Sequence, residues 1–304
     1  MRFKKLDLNL LVVLNALLRE RSVTRAAATL NLSQPAMSAA LTRLRTYFND
    51  QLLVPHGKRM LPTSLAEELA PQVAKTLVDI DALITSSAVF DPATSRRTFF
   101  ICASDYVTVV LLQPLLVELQ KEAPGLRFNI TPVSPEIWPQ FEQGKIDLLL
   151  TPEQYTSNDH PRQLLFEERH VVVGWKRNPV FKAKLTEEIF FAQGQVIFSL
   201  SEVQSFAEQA LTRLNHQRQI EVICSSFLAV PWMLPNTRRL ALMHERLALQ
   251  MVTKLPLAIA PLPFAFPVMR EMVQFHSART HDSGLKWLLK RIQAQAAGLP
   301  RQKA

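Results

Sequence analysis

The chain has 304 residues, 48% of them hydrophobic and 20% charged, which excludes a disordered polyelectrolyte and leaves room for one small and one larger domain. The net charge of +9 is uneven, because residues 1–60 hold ten basic side chains against three acidic ones. A basic head on a nearly neutral body points to a polyanionic partner for the head, nucleic acid or a membrane surface.

"MRFKK" followed by "LNLLVVLNALL" has the outline of a signal peptide, but Asp7, Asn9 and Asn15 interrupt the run and Arg19, Glu20 and Arg21 end it. Leu10, Leu11, Leu14, Leu17 and Leu18 fall on one helical face, so an amphipathic core helix over 8–19 is expected instead. Ser22 is a fitting N-cap for a second helix over 23–30, with Val23, Ala26, Ala27 and Leu30 inward. Asn31 suits the left-handed position of a tight turn, and Ser33 caps a third helix running to Phe48. Two short strands, 52–55 and 58–61, follow around His56 and Gly57. Ser64 and Glu67 are spaced as a capping box for a long helix with Leu65, Leu69, Val73, Leu77, Ile80 and Ile84 on one face and Pro71 within it. That stripe fits either packing on its own domain or a two-stranded coiled coil between chains.

"FDPATSRR", residues 90–97, reads as a linker, after which strands alternate with helices. Strands are expected in "RTFFICAS", "RFNITPV", "KIDLLLTP", "HVVVGW", "QVIFSL", "IEVICS", "RLALM" and "MVQFHSA". Helices are expected over 109–122, 137–143, 203–215, 227–234 and 285–296. Such alternation implies an α/β fold with parallel sheets covered on both faces. The apolar stretch near residue 260 is too rich in proline for a regular helix, and no run reaches membrane-spanning length.

Several chemistries lack their signatures. The seven glycines form no dinucleotide fingerprint, phosphate loop or nucleophile elbow, and the seven histidines form no metal pair of known spacing. Cys102 and Cys224 match no metal or redox spacing, which fits a reduced, cytoplasmic chain. Asp105, Asp147 and Glu153 lie near expected strand ends, where acid/base groups of an α/β enzyme would gather.

The third helix is unusual. Met37, Leu41 and Leu44 line one side, while the other shows Gln34, Ser38, Ala39, Thr42 and Arg45. Two helices joined by a short turn, the second bare at its start, form the helix-turn-helix pattern that enters a DNA major groove. Bulky side chains there would hold the helix off the bases. Gln34 can pair with adenine, Ser38 can serve several base edges, and Pro35 is tolerated in a first turn and offers apolar surface to a thymine methyl. Arg25, Arg43, Arg45, Lys58 and Arg59 are placed for phosphates. A plain three-helix packing module would also have small residues at a helix contact.

The run from residue 6 to 54 resembles the winged helix-turn-helix of LysR-type transcriptional regulators through Ala26-Ala27, Ser33-Gln34-Pro35-Ala36, Ser38 and Leu44. "LPTSLAEELA", "SDYVTVVLLQPLL", "EAPGLRF", "GKIDLLLTPE" and "WLLKRI" extend the likeness over essentially the whole chain. "FDPATSRR" and "HPRQLLFEE" are most like the subgroup holding the rhizobial nodulation regulator NodD and the aromatic-responsive regulators of naphthalene and salicylate catabolism.

The resemblance implies a winged helix-turn-helix domain over 1–62, a dimerising linker helix over 63–90 and a regulatory domain over 91–304. The last would resemble a periplasmic binding protein, with one subdomain over 97–160 and 268–300 and a second over 161–267. It implies no catalytic residue, metal or cofactor, but a small organic effector, with an aromatic one typical of the subgroup. Partners would be promoter DNA, further copies in a dimer and tetramer, and RNA polymerase, with no membrane. Base contacts would fall to Gln34, Pro35, Ser38, Ala39 and Thr42, and phosphate contacts to Thr24, Arg25, Arg43, Arg45, Lys58 and Arg59. Ser104, Asp105, Thr108, Thr151, Phe198, Ser199, Ser226 and Phe227 would edge the effector cleft.

Three positions depart from the family. Ala39 stands where many members carry a base, Ser226 where aromatic-responsive relatives carry a histidine, and His244 where relatives carry a small apolar residue. An architectural DNA-binding protein and a small-molecule carrier without promoter specificity are the alternatives to a regulator.

Overall fold

The computed structural model describes residues 2–3, 6–56, 59–86, 90–134, 137–200, 204–214 and 216–300. The chain divides into two units, residues 1–88 with 139–145, and residues 89–138 with 146–304.

The first unit begins with a minimal antiparallel pair, β1 (Arg2–Phe3) and β2 (Leu6–Asp7). Three helices follow, α1 (Asn9–Glu20), α2 (Val23–Thr29) and α3 (Gln34–Phe48). Local chemistry sets their ends. The Ser22 hydroxyl accepts from the Arg25 amide at 3.4 Å, and the Ser33 hydroxyl from the Ala36 amide at 3.3 Å. Asn31 takes φ 54°, the left-handed turn its short polar side chain tolerates. Leu14, Leu17, Ala26, Ala27, Met37, Leu41 and Leu44 meet in one core with Leu52 and Leu53. The wing strands β3 (Leu53–His56) and β4 (Arg59–Pro62) pair one residue later than the sequence pattern indicates.

The long helix α4 (Ser64–Ser86) runs through Pro71 without a break. Its cap corrects the expected box at Ser64 and Glu67. The Thr63 hydroxyl accepts from the Ala66 amide at 3.2 Å, so Glu67 falls one position too late to close a box. Thr63 is fixed in turn by donating to Asp50 Oδ1 at 2.6 Å, and the same oxygen accepts the Leu52 amide at 2.6 Å. Among the side chains of α4 that are described, Ala66, Val73, Ala74 and Val78 are buried and Leu65, Leu69 and Leu77 partly covered, while that of Ile84 lies outside them.

The second unit holds two five-stranded sheets. The first combines β5 (Thr98–Cys102), β6 (Arg127–Thr131), β7 (Leu148–Pro152), β8 (Arg162–Glu168) and the late β14 (Met269–Gln274), in the order β6-β5-β7-β14-β8. The second combines β9 (His170–Trp175), β10 (Gly194–Phe198), β11 (Gln219–Cys224), β12 (Leu240–His244) and β13 (Leu257–Ala260), in the order β11-β10-β12-β9-β13. The α/β class holds, but the sheets are mixed rather than parallel. β14 runs antiparallel to β7 and β8, and β9 antiparallel to β12 and β13, because the chain crosses between sheets and returns.

The helices are α5 (Asp105–Val107), α6 (Gln113–Glu122), α7 (Ile137–Glu142), α8 (Glu187–Ala192), α9 (Phe206–Thr212), α10 (Glu245–Met251) and α11 (Ser283–Ala297). A π-helical stretch over Thr108–Leu112 joins α5 to α6, so this helical run starts four residues before the expected 109. The helix expected over 227–234 is a 3-10 turn, Val230–Met233, with Pro231 in its first turn and Pro235 just past its end, where it disfavours helix at Leu234. β8, β13, α8 and α10 have no counterpart among the expected elements. Among the described residues, no helix is long and apolar enough to cross a membrane.

A buried ion network secures the first sheet. Arg97 meets Asp282 at 2.6 Å and Asp147 at 3.0 Å, while Arg279 meets the same Asp147 oxygen at 2.8 Å. Asp282 also caps α11 through the Leu285 amide. Burial alone would raise the Asp282 carboxyl, but the Arg97 bond and the Leu285 amide outweigh it and hold it below the usual carboxylate range.

Candidate DNA-reading face and effector cavity

Helix α3 buries Met37, Leu41 and Leu44, and the geometry of the helix then sends Gln34, Pro35, Ser38, Ala39 and Thr42 to solvent. Pro35 lies in the first turn, where its missing amide costs nothing. The Thr42 hydroxyl donates to the Ser38 carbonyl at 3.1 Å, so only its lone pairs remain for a partner. Thr24 and Arg43 are exposed, with Arg43 only loosely paired to Asp7 at 3.7 Å. Arg25 is exposed and bonds back to the Glu20 carbonyl.

Arg45 has a different position from the one its spacing indicates. Its guanidinium donates to the Gln51 carbonyl at 2.9 Å and the Leu53 carbonyl at 2.8 Å, which joins α3 to the base of the wing. Arg59 is placed at the first position of β4, paired with His56. Lys58 lies outside the described residues.

The second candidate site lies at the C-terminal ends of the strands, where α/β sheets gather ligands. Ser104 and Pro132 just after β5 and β6, Thr151 at the penultimate position of β7, Phe198 and His244 at the ends of β10 and β12, and Ser225 just after β11 all surround one cavity of about 370 Å³. Five of the eight expected effector residues line it: Ser104, Asp105, Thr151, Phe198 and Phe227. Thr108, Ser199 and Ser226 do not. The Thr108 hydroxyl turns back onto the Ser104 carbonyl at 2.8 Å, and Ser226 donates to Asp105 at 2.6 Å.

Asp105 is itself largely occupied. One oxygen accepts the Ser226 hydroxyl and the Leu228 amide, and the other accepts the Tyr106 and Phe227 amides. The carboxylate thus links the start of α5 to the loop after β11 rather than standing free. The other two acidic positions near strand ends are similarly engaged, Asp147 in the ion network and Glu153 with Arg270 at 2.9 Å. No pair among these three is arranged for acid/base work.

Trp138, Tyr155, Phe198, Phe206 and Phe227 give the wall its aromatic character, and no lysine or arginine lines it among the described residues. The floor was not legible from spacing. His244 stacks on Tyr106 with ring centroids 3.9 Å apart, and Phe227 meets it edge-on at 4.8 Å. Behind it His170, its register partner across β9 and β12, has both ring nitrogens buried without a hydrogen bond among the described residues. Burial pushes His170 down to about 3, and burial together with His170 holds His244 well below the usual imidazole range.

Of two neighbouring buried carboxyls, Glu271 lines the cavity and Glu168 lies behind it. The Tyr106 hydroxyl donates to Glu168 Oε2 at 2.5 Å, and the Arg246 backbone amide donates to Oε1 at 3.0 Å while its guanidinium donates to Oε2. Burial raises Glu168, and these donors oppose it. Glu271 lacks such donors; burial and the charge of Glu168 push it up to about 8. Its side chain is therefore an uncharged acid at neutral pH. Cys102 and Cys224 are both free, and burial pushes the Cys102 thiol up to about 12, which makes it a poor nucleophile.

Comparison with known proteins identifies both parts of the chain. Residues 8–67 match the family model of the bacterial regulatory helix-turn-helix proteins of the lysR family, and residues 92–297 that of the LysR substrate binding domain. Nodulation protein D 1 of Rhizobium leguminosarum bv. phaseoli is 39% identical over 302 residues, covering 99% of this chain and 96% of that protein. Nodulation protein D 1 of Sinorhizobium fredii is 40% identical over 290 residues, covering 95% and 90%. The crystal structure of a probable transcriptional regulator from Pseudomonas aeruginosa is 30% identical, with a TM-score of 0.65 over 98% of this chain and 99% of that one. Full-length OxyR from the same organism shares the fold at 14% identity, with a TM-score of 0.74 over 98% and 99%. The chain belongs to the lysR family of bacterial helix-turn-helix transcriptional regulators.

Proposed function

We propose that this regulator controls promoters in response to an uncharged aromatic molecule that enters the cavity between the two sheets. The observation that carries this reading is the cavity itself, walled by aromatic side chains and, among the described residues, free of any cation to balance an acidic ligand. Ser226 fits the same view, since it is turned toward Asp105 and replaces a histidine suited to an acidic inducer.

The protein works on double-stranded DNA through Gln34, Pro35, Ser38, Ala39 and Thr42 at bases and Thr24, Arg25, Arg43, Lys58 and Arg59 at phosphates. Residues 1–62 form the DNA-binding domain and 91–304 the effector domain. Copies join through the linker helix over 63–90 into dimers and tetramers, in the cytoplasm, without catalysis. The effector acts by binding one arrangement of the two sheets better than the other, which changes the spacing of paired DNA-reading heads and the bend of the site.

Footprinting on genomic fragments tests the reading. A bounded, sequence-defined site, altered by a bound aromatic molecule, is expected. Coverage without a boundary would leave an architectural DNA-binding protein in its place.

A further inference from the structure

Glu271 sits on β14 of the first sheet and His244 at the end of β12 of the second, and both line the aromatic cavity. Glu271 is 1% exposed, and its Oε1 is buried without a hydrogen-bond partner. Among the described residues neither oxygen of Glu271 and neither ring nitrogen of His244 is hydrogen-bonded. The contrast with Glu168 is sharp, since that neighbouring carboxyl is held by Tyr106 and Arg246. Oε1 is sealed in the interior, whereas Oε2 is neither sealed in that way nor hydrogen-bonded, so on a residue that lines the cavity Oε2 is the atom left to meet a partner brought from outside.

We infer that Glu271 and His244 are the polar anchors of the effector subsite, taking from opposite sheets the single hydroxyl of an uncharged phenol. The phenol oxygen accepts a hydrogen bond from the Glu271 carboxyl O–H, and the phenol O–H donates one to the unprotonated nitrogen of the neutral imidazole. Tyr106 and Phe227 hold the imidazole plane, so the acceptor direction is fixed before the ligand arrives. One hydroxyl then ties the two sheets together, which gives the ligand its preference for the arrangement that brings both residues to it. A carboxylate in that place would face an acid and an imidazole that burial keeps neutral, with no cation beside it.

This inference rests on the proposed effector role of the cavity. Three matched probes test it on the full chain by tryptophan fluorescence, with Trp138 in the cavity wall: 4-hydroxybiphenyl, biphenyl and biphenyl-4-carboxylate. The hydroxyl form should bind at least tenfold more tightly than biphenyl, and the carboxylate most weakly. Glu271→Leu and His244→Phe should each erase most of that hydroxyl advantage while changing biphenyl affinity less than threefold. Glu271→Gln, which keeps an uncharged donor, should retain it. An unchanged hydroxyl advantage in Glu271→Leu, a preference for the carboxylate, or no binding of any probe by the unaltered chain would each overturn the inference. Footprints on the same preparations report separately on the regulator reading, which survives all three results if the bounded site remains.

Discussion

His244 lies flat on Tyr106, with planes 6° apart and centroids at 3.9 Å, and this stack forms the boundary between the cavity and the buried His170. A histidine at position 244 is thereby accounted for, since it fills a ring-shaped site and brings a nitrogen to the cavity. The arrangement has a pH consequence. An imidazole with its folded value near 3 against 6.5 when unfolded takes up its proton in the unfolded chain first. Stability is therefore full above pH 6.5 and falls as pH drops toward 3. His170→Phe keeps the ring against Phe206 and Phe266 and removes that uptake. Urea denaturation between pH 7 and pH 4 should show a flatter loss in the variant, by roughly 1–3 kcal/mol at pH 4. Parallel curves for the two proteins would refute the assignment.

Glu271 gives the opposite slope. Its folded value of about 8 lies above the ordinary 4.5, so the folded chain holds a proton that the unfolded chain gives up. That contribution is full below pH 4.5 and is lost as pH rises toward 8. Glu271→Gln cannot ionise, so its stability relative to the unaltered protein should climb across that window, by about 5 kcal/mol in the limit. The difference between the two denaturation midpoints, followed from pH 5 to pH 8, measures it; a constant difference would mean Glu271 is already ionised.

How far these features could be read in advance depends on the range of the interactions that set them. Ser22, Ser33 and Asn31 were legible because a cap or a left-handed turn is decided within four residues. Thr63 was not, since its capping role is fixed by Asp50, thirteen residues away in the chain. The buried runs at β5, β7 and β9 identify strands, but strand direction depends on crossovers, and so the reversed β14 escaped. The cavity wall followed from strand ends. Its floor did not, because which face Glu271 shows depends on the register of β14 against β8, and that register shifts between Glu271 and Met272.

The bare start of α3 leads to a prediction about DNA. Gln34 is exposed and has no long neighbour to replace it at the bases. Gln34→Ala should weaken binding to the specific site by about 1–3 kcal/mol while leaving other sequences unaffected. Ser38→Arg should weaken it by bulk, holding the helix off the groove. Arg59→Ala should instead weaken binding to every sequence and reduce the slope of log affinity against log salt by about 1. Fluorescence anisotropy with specific and scrambled duplexes at several salt concentrations separates the two behaviours. A uniform loss in Gln34→Ala would show that α3 faces the backbone instead of the bases.

Asp105 offers a test of the link between the sheets. It follows β5, whereas Ser226, Phe227 and Leu228 follow β11 in the other sheet, and its two oxygens collect a hydroxyl and two amides from that loop. Truncation leaves those donors without an acceptor, a cost of about 1–3 kcal/mol. Asp105→Ala should accordingly loosen the loop over 225–229 and speed hydrogen exchange at the Phe227 and Leu228 amides, while exchange in the core of β7 is unchanged. Asp105→Asn keeps one carbonyl acceptor and should fall between the two. Ser226→Ala removes a single donor to Asp105, which the Tyr106, Phe227 and Leu228 amides still serve, and so should shift exchange least. If Ser226→Ala matched Asp105→Ala, the loop would be held by the serine hydroxyl alone and the carboxylate would not be the element joining the two sheets.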